Sequence, residues 1–239
     1  MVNPFTNVRR RPGTETGIPA RSRAIGIALA SATALTMASC HSATPSPQAS
    51  PEPEPWEKVV AENPLFEAKM TEKVGESLCE TVSAALNKKE SDTHVEFRWD
   101  KKHYSCGGNV SVPMDSGDTI GSGTLRFPKL NEYEQRDLAN HILEHRASPS
   151  ACSFTELVQS SGEGESTERE TTNGEYCYYP YTGDSYPASG EGRYVASNTA
   201  VTAKFETIDD EADPEQLQQG IDELLDLTME TLLAEYPQP

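Results

Sequence analysis

The chain has 239 residues, 38 of them acidic and 20 basic, for a formal net charge of −18. A field of that sign repels polyanions, so nucleic acid and anionic lipid head groups are excluded as electrostatic partners. Five cysteines are an odd number, which leaves one over if the other four pair.

Arg21 and Arg23 precede an apolar run of 14 residues, Ala24 to Met37. A membrane-spanning helix takes about 20 such residues, so this run is too short to be one. A basic start, a short apolar run and small residues at a cleavage point make a secretory signal. The run closes on Met37-Ala38-Ser39-Cys40, which resembles the bacterial lipobox. That resemblance implies that residues 1–39 are a signal peptide, and that Cys40 is diacylated and becomes the first residue of the mature chain. The membrane is then a partner through the lipid. The alternative is a plain secreted protein cut near the same place, with Cys40 a free thiol. The early arginines, Arg9, Arg10 and Arg11, suit an actinobacterial reading frame. From Cys40 onward, 15 Lys and Arg stand against 37 Asp and Glu, a formal −22.

Residues 41–55 hold five prolines among small polar residues and cannot form a packed core. They read, with Cys40, as a tether that fully extended would reach ~45 Å at ~3 Å per residue. The remaining 184 residues, Trp56 to Pro239, suffice for one sizeable domain or two small ones.

A helical pattern starts at Trp56, Val59 and Val60 and breaks at Asn63-Pro64. Leu65, Met70, Val74, Leu78, Val82 and Leu86 then recur at mostly helical spacing, with Cys79 on that segment. Strand-like runs follow at Thr93–Trp99, at Tyr104–Val112 with Cys106, and at Gly121–Phe127. Asn131 with Glu134 three residues on reads as a capping box opening a helix to about Arg146. Ser153 is expected to cap a short helix with Phe154, Leu157 and Val158 as its apolar stripe. Residues 161–174 read as a polar hairpin or loop. Glu175–Tyr181 is a tyrosine-rich strand bearing Cys177, and Arg193–Ala196 and Ala200–Thr207 read as further strands. Asp213-Pro214 is an N-cap and first-turn pair for a last helix, carrying Leu217, Ile221, Leu224, Leu225, Leu232 and Leu233.

The expected class is therefore α+β, an antiparallel sheet or sheets with packed helices. The order of elements repeats as two similar halves, 56–148 and 149–239, either separate or merged in one domain. In each half a cysteine on or just before a helix is followed by one on a strand. Cys79 and Cys106 are 27 apart, and Cys152 and Cys177 are 25 apart. That favours pairing within each half, although four cysteines allow three connectivities and sequence does not choose among them. Lipobox, tether and a domain with helix-cysteine and strand-cysteine pairs together resemble actinobacterial envelope lipoproteins. In plan they are similar to the two-disulfide extracellular sensor domains of mycobacterial receptor kinases. The resemblance implies an extracytoplasmic binding or sensing role and carries no catalytic residues.

His141-Ile142-Leu143-Glu144-His145 matches the H-x-x-E-H pattern of zinc hydrolases, in which two histidines hold the metal and the glutamate activates water. The plainer reading is solvated histidines at a helix C-terminus, where positive charge suits the dipole. Tyr176, Tyr178, Tyr179 and Tyr181 offer contact area and hydroxyls for a sugar or a partner protein. Equally, they read as a half-buried sheet face around Cys177. Asp115 and Asp118, and Asp209 to Asp213, lack the spacing of a calcium loop. No G-x-S-x-G, S-x-x-K or phosphate-loop motif is present. The expectation is a lipid-anchored, non-enzymatic binding, sensing or accessory protein of the envelope that needs no cofactor. Its partner would be an envelope protein or a small ligand; a zinc hydrolase and a protein–protein scaffold are the alternatives.

Overall fold

Alternating runs from both halves of the chain become neighbouring strands of one sheet. The computed structural model describes residues 52–67, 70–89, 95–117, 119–145, 150–158, 166–183, 186–207 and 212–238. The signal-like segment, Cys40 and the tether up to residue 51 lie outside them.

Among the described residues, five α-helices and seven strands make an α+β fold. Helices α1 (Pro55–Glu62) and α2 (Glu72–Lys89) lead into β1 (Arg98–Asp100), β2 (Ser105–Val112) and β3 (Thr119–Arg126). Helices α3 (Glu132–His145) and α4 (Ala151–Val158) precede β4 (Thr167–Thr171), β5 (Gly174–Gly183), β6 (Tyr186–Ala196) and β7 (Thr199–Thr207), and α5 (Pro214–Glu235) closes the chain. The sheet order is β1-β2-β3-β7-β6-β5-β4, and every neighbouring pair is antiparallel. Two meanders thus meet at their last strands, with Gly121–Arg126 of β3 running against Thr202–Thr207 of β7.

Local chemistry sets the helix ends. Asn63 ends α1, and its Oδ1 accepts from the Leu65 N–H at 2.9 Å to open a 3-10 turn. At α3, Asn131 Oδ1 accepts from the Glu134 N–H at 3.0 Å while Glu134 Oε2 accepts from the Asn131 N–H at 2.7 Å, the expected capping box. Asp213 Oδ1 accepts from the Glu215 N–H at 2.9 Å ahead of α5.

One expectation is corrected. Helix α4 starts two residues before Ser153, and Ser150 is the capping residue, its Oγ accepting from the Ser153 N–H at 3.3 Å. Within the expected polar hairpin or loop 161–174, Thr167–Thr171 form β4, which turns back to pair with β5 from Thr167↔Tyr178 to Thr171↔Gly174. Its charged residues suit an edge strand, where water takes the outer face. The β6–β7 connection is a two-residue turn in which Ser197 and Asn198 both have positive φ (46° and 64°), the geometry that matches strand twist.

Cross-strand pairs fix which side chain lies on which face. Cys106 pairs with Leu125, Leu125 with Ala203, Ala203 with Gly192 and Gly192 with Tyr178. All five share the face covered by α2 and α5, whose core includes Leu78, Val82, Leu86, Phe127, Phe205 and Leu225. Gly192 lets α5 come close, since a Cβ there would lie 2.8 Å from Met229 Cγ. The opposite face is covered in part by a second cluster with Leu65, Phe66, Leu138, Val158, Val195 and Ala200.

Both disulfides join cysteines of the same half, Cys79–Cys106 and Cys152–Cys177. Cys106 lies on the α2/α5 face and Cys177, one residue before Tyr178, on the other. The bridges therefore pin α2 and α4 to opposite faces. A two-fold axis through the β3–β7 seam would place both on one face, so the two halves are not related by that symmetry.

Candidate functional site

The tyrosines of β5 divide between the two faces. Tyr176 and Tyr178 are 0 % and 5 % exposed and point at α5; Tyr179 is 6 % exposed and points at α4. Every one of these hydroxyls is occupied. Tyr176 donates to Asp226, Tyr178 donates to Asp222 Oδ1 at 2.7 Å, and Tyr179 shares a 3.2 Å hydrogen bond with Thr155. Arg169 of β4 closes the network: Nη2 reaches Asp222 Oδ2 at 2.9 Å, Nη1 reaches Asp226 Oδ1 at 3.0 Å, and the guanidinium sits 3.7 Å from the Tyr178 ring centre.

Burial, then the bond to a carboxylate, raises the Tyr176 and Tyr178 hydroxyls well above the ordinary phenol range. Burial opposes the charge of Arg169, but its bonds to Asp222 and Asp226 outweigh that and hold it above its usual value. The arrangement clamps β4 and β5 to α5. Of the two readings of these tyrosines, the sheet face holds for Tyr176, Tyr178 and Tyr179, and all three are buried. The Tyr181 side chain lies outside what is described.

The histidine motif lies in the last turn of α3. His141 packs edge-on to Phe154 with centroids 6.5 Å apart, and Glu144 is exposed. The His145 side chain lies outside what is described. Among the described residues no group of three His, Cys, Asp or Glu is placed to hold a metal ion, and no helix is long and apolar enough to cross a membrane.

Compared with family models, curated proteins and solved structures, the chain matches none.

A groove of about 1030 Å³ runs between α2 and the β1 edge. It is built by a ladder of side chains from α2. Asn87 Oδ1 accepts from the Val95 N–H at 2.5 Å and Asn87 Nδ2 donates to the Val95 carbonyl at 2.7 Å. One helical turn earlier, Ser83 Oγ accepts from the Phe97 N–H at 2.9 Å and itself donates to the Cys79 carbonyl at 2.8 Å. Four helix residues rise ~6 Å and two strand residues ~6.6 Å, so each step of four along α2 matches a step of two along the strand.

The next rung would be Cys79 opposite Trp99. Cys79 is turned into the bridge with Cys106 and offers nothing to Trp99. By strand alternation the N–H and C=O of Trp99 face outward like those of Val95 and Phe97. Neither takes part in a hydrogen bond outside the β1–β2 ladder among the described residues. The Trp99 ring lies against Gly75, edge-on to Tyr104, and its Nε1 is shut from solvent without an acceptor.

Five carboxylates line the groove, those of Glu72, Glu76, Glu80, Glu96 and Asp100, against the cations Arg98 and Lys101. A hydrogen bond from His103 Nδ1 at 2.6 Å keeps the Asp100 carboxyl below its usual range. The sequence reading missed this groove. Its one legible trace is the Glu72, Glu76, Glu80 spacing, which puts three acids on one stripe of a helix.

Proposed function

We propose that the chain is an exported lipoprotein, held at the outer face of the cytoplasmic membrane through Cys40, with a non-enzymatic binding or sensing role in the envelope. One observation carries this reading. The two disulfides use Cys79, Cys106, Cys152 and Cys177, so Cys40, the residue that ends the lipobox-like stretch, is the cysteine they leave over. Paired disulfides fit an oxidising compartment. The proline-rich residues between Cys40 and α1 give the folded unit reach from an anchor, and the acidic surface keeps it clear of anionic head groups.

The test is the intact mass of the protein taken from its own membranes, before and after reduction. The expected species is Cys40–Pro239 carrying a diacylglyceryl group, gaining two hydrogens per bridge on reduction. Cys40→Ser should leave the membrane fraction. An unlipidated mass, or a Cys40→Ser protein that stays with the membrane, would overturn the reading.

A further inference from the structure

The α2–β1 groove combines an open stretch of strand edge with a charged wall, and the two features call for one kind of occupant. The edge asks for a backbone. Trp99 presents one N–H and one C=O outward, spaced to exchange hydrogen bonds with an extended chain, as in peptide recognition by strand addition. The wall asks for positive charge at a fixed interval. Glu72, Glu76 and Glu80 recur every ~6 Å along α2. Every second side chain of an extended segment recurs every ~6.6 Å, so alternate basic residues meet one glutamate each. The volume, about 1030 Å³, is at least that of clefts that enclose a drug-sized ligand, so it leaves room for a few residues of extended chain.

Two other occupants fit badly. A second copy would bring the same glutamate stripe against itself, in a chain already at −18. The chain's own segment Pro51-Glu52-Pro53-Glu54-Pro55 is acidic, and its prolines have no N–H to give the edge.

We infer that the groove binds an extended, lysine- or arginine-rich segment of another protein, hydrogen-bonded to the Trp99 backbone and paired through its basic side chains with Glu72, Glu76 and Glu80. This deepens the binding role proposed above and rests on that reading, but not on the lipid anchor.

The probe is a labelled octapeptide alternating Lys and Thr, titrated into the full chain by fluorescence anisotropy. Controls are an alternating Glu–Thr peptide and the Lys–Thr peptide N-methylated at each residue, which keeps the charge and removes the N–H groups. The Lys–Thr peptide is expected to saturate and to slow hydrogen exchange at the Trp99 amide. N-methylation, or Glu76→Gln with Glu80→Gln, should each weaken binding about tenfold. Absence of saturation would overturn the inference. So would equal binding of the N-methylated peptide, unchanged exchange at Trp99, or a peptide-free protein that self-associates through this edge. None of these failures bears on the mass and fractionation test of Cys40, so the two readings fall separately.

Discussion

Asn87 and Val95 hold each other through a reciprocal pair of hydrogen bonds, with the carboxamide of a helix residue standing where a neighbouring strand would be. Val95 is 1 % exposed, so water is a poor substitute for either bond. Asn87→Ala leaves a buried N–H and C=O unpaired and should cost about 2 kcal/mol. Urea unfolding checks this. A loss under about 0.5 kcal/mol would mean that water enters and replaces the carboxamide.

Gly220 lies in the first third of α5, at its contact with the end of β2. A Cβ there would fall 2.5 Å from Val112 Cγ1 and 2.6 Å from the Pro113 carbonyl oxygen. Alanine improves helix propensity by about 1 kcal/mol, but backbone must move to admit the methyl group, at a cost of about 1–3 kcal/mol. Gly220→Ala is therefore expected to destabilise despite its helix-forming residue. A raised unfolding midpoint would show that the α5 contact is looser than these distances.

The buried tyrosines predict alkaline sensitivity. Burial, then neighbouring groups, raises the hydroxyls of Tyr176, Tyr178 and Tyr194 above their value in an unfolded chain, which is about 10. Between the unfolded and folded values the native state keeps protons that the unfolded chain releases. The stabilisation is complete below pH ~10 and is lost as pH rises through that window. Urea midpoints should fall steeply above pH ~10. Tyr178→Phe should be less stable at neutral pH but decline less steeply. Parallel declines would remove Tyr178 from the effect.

The two disulfides close loops of nearly equal length, with separations of 27 and 25. Chain entropy gives each about 3.5 kcal/mol. Replacing Cys79 and Cys106 by alanine, and separately Cys152 and Cys177, should cost about the same in each pair. Denaturant titration of the two double variants decides it. A loss several kcal/mol larger in one pair would place the excess in packing around that bridge rather than in loop closure.

Much of this architecture was legible because its determinants are local. The Asn131/Glu134 box, the Asp213-Pro214 start and the leucine stripe of α5 are each written within a few residues of where they act. Pairing of the cysteines within each half was favoured by spacing alone. The sheet order was not legible, because the β3–β7 contact joins residues about 80 positions apart and no side chain announces it. The tyrosines of β5 read as a possible surface because alternation tells which residues share a face and not what covers it; Asp222, Asp226 and Arg169 cover them from elsewhere in the chain. Asn87 and Ser83 were invisible for a related reason. A polar residue on a helix looks like solvent-facing surface until a strand edge is laid beside it.

The β3–β7 seam also governs how this protein can be divided. A fragment ending near residue 148 would strip β7 from β3 and leave a bare strand edge along Gly121–Arg126, which carries the apolar Leu125 and is followed by Phe127. The complementary fragment would carry the matching bare edge along Thr202–Thr207. Each is a template for pairing with its like. Produced apart, the pieces are expected to precipitate; produced together, they should find each other and reconstitute the sheet from two chains.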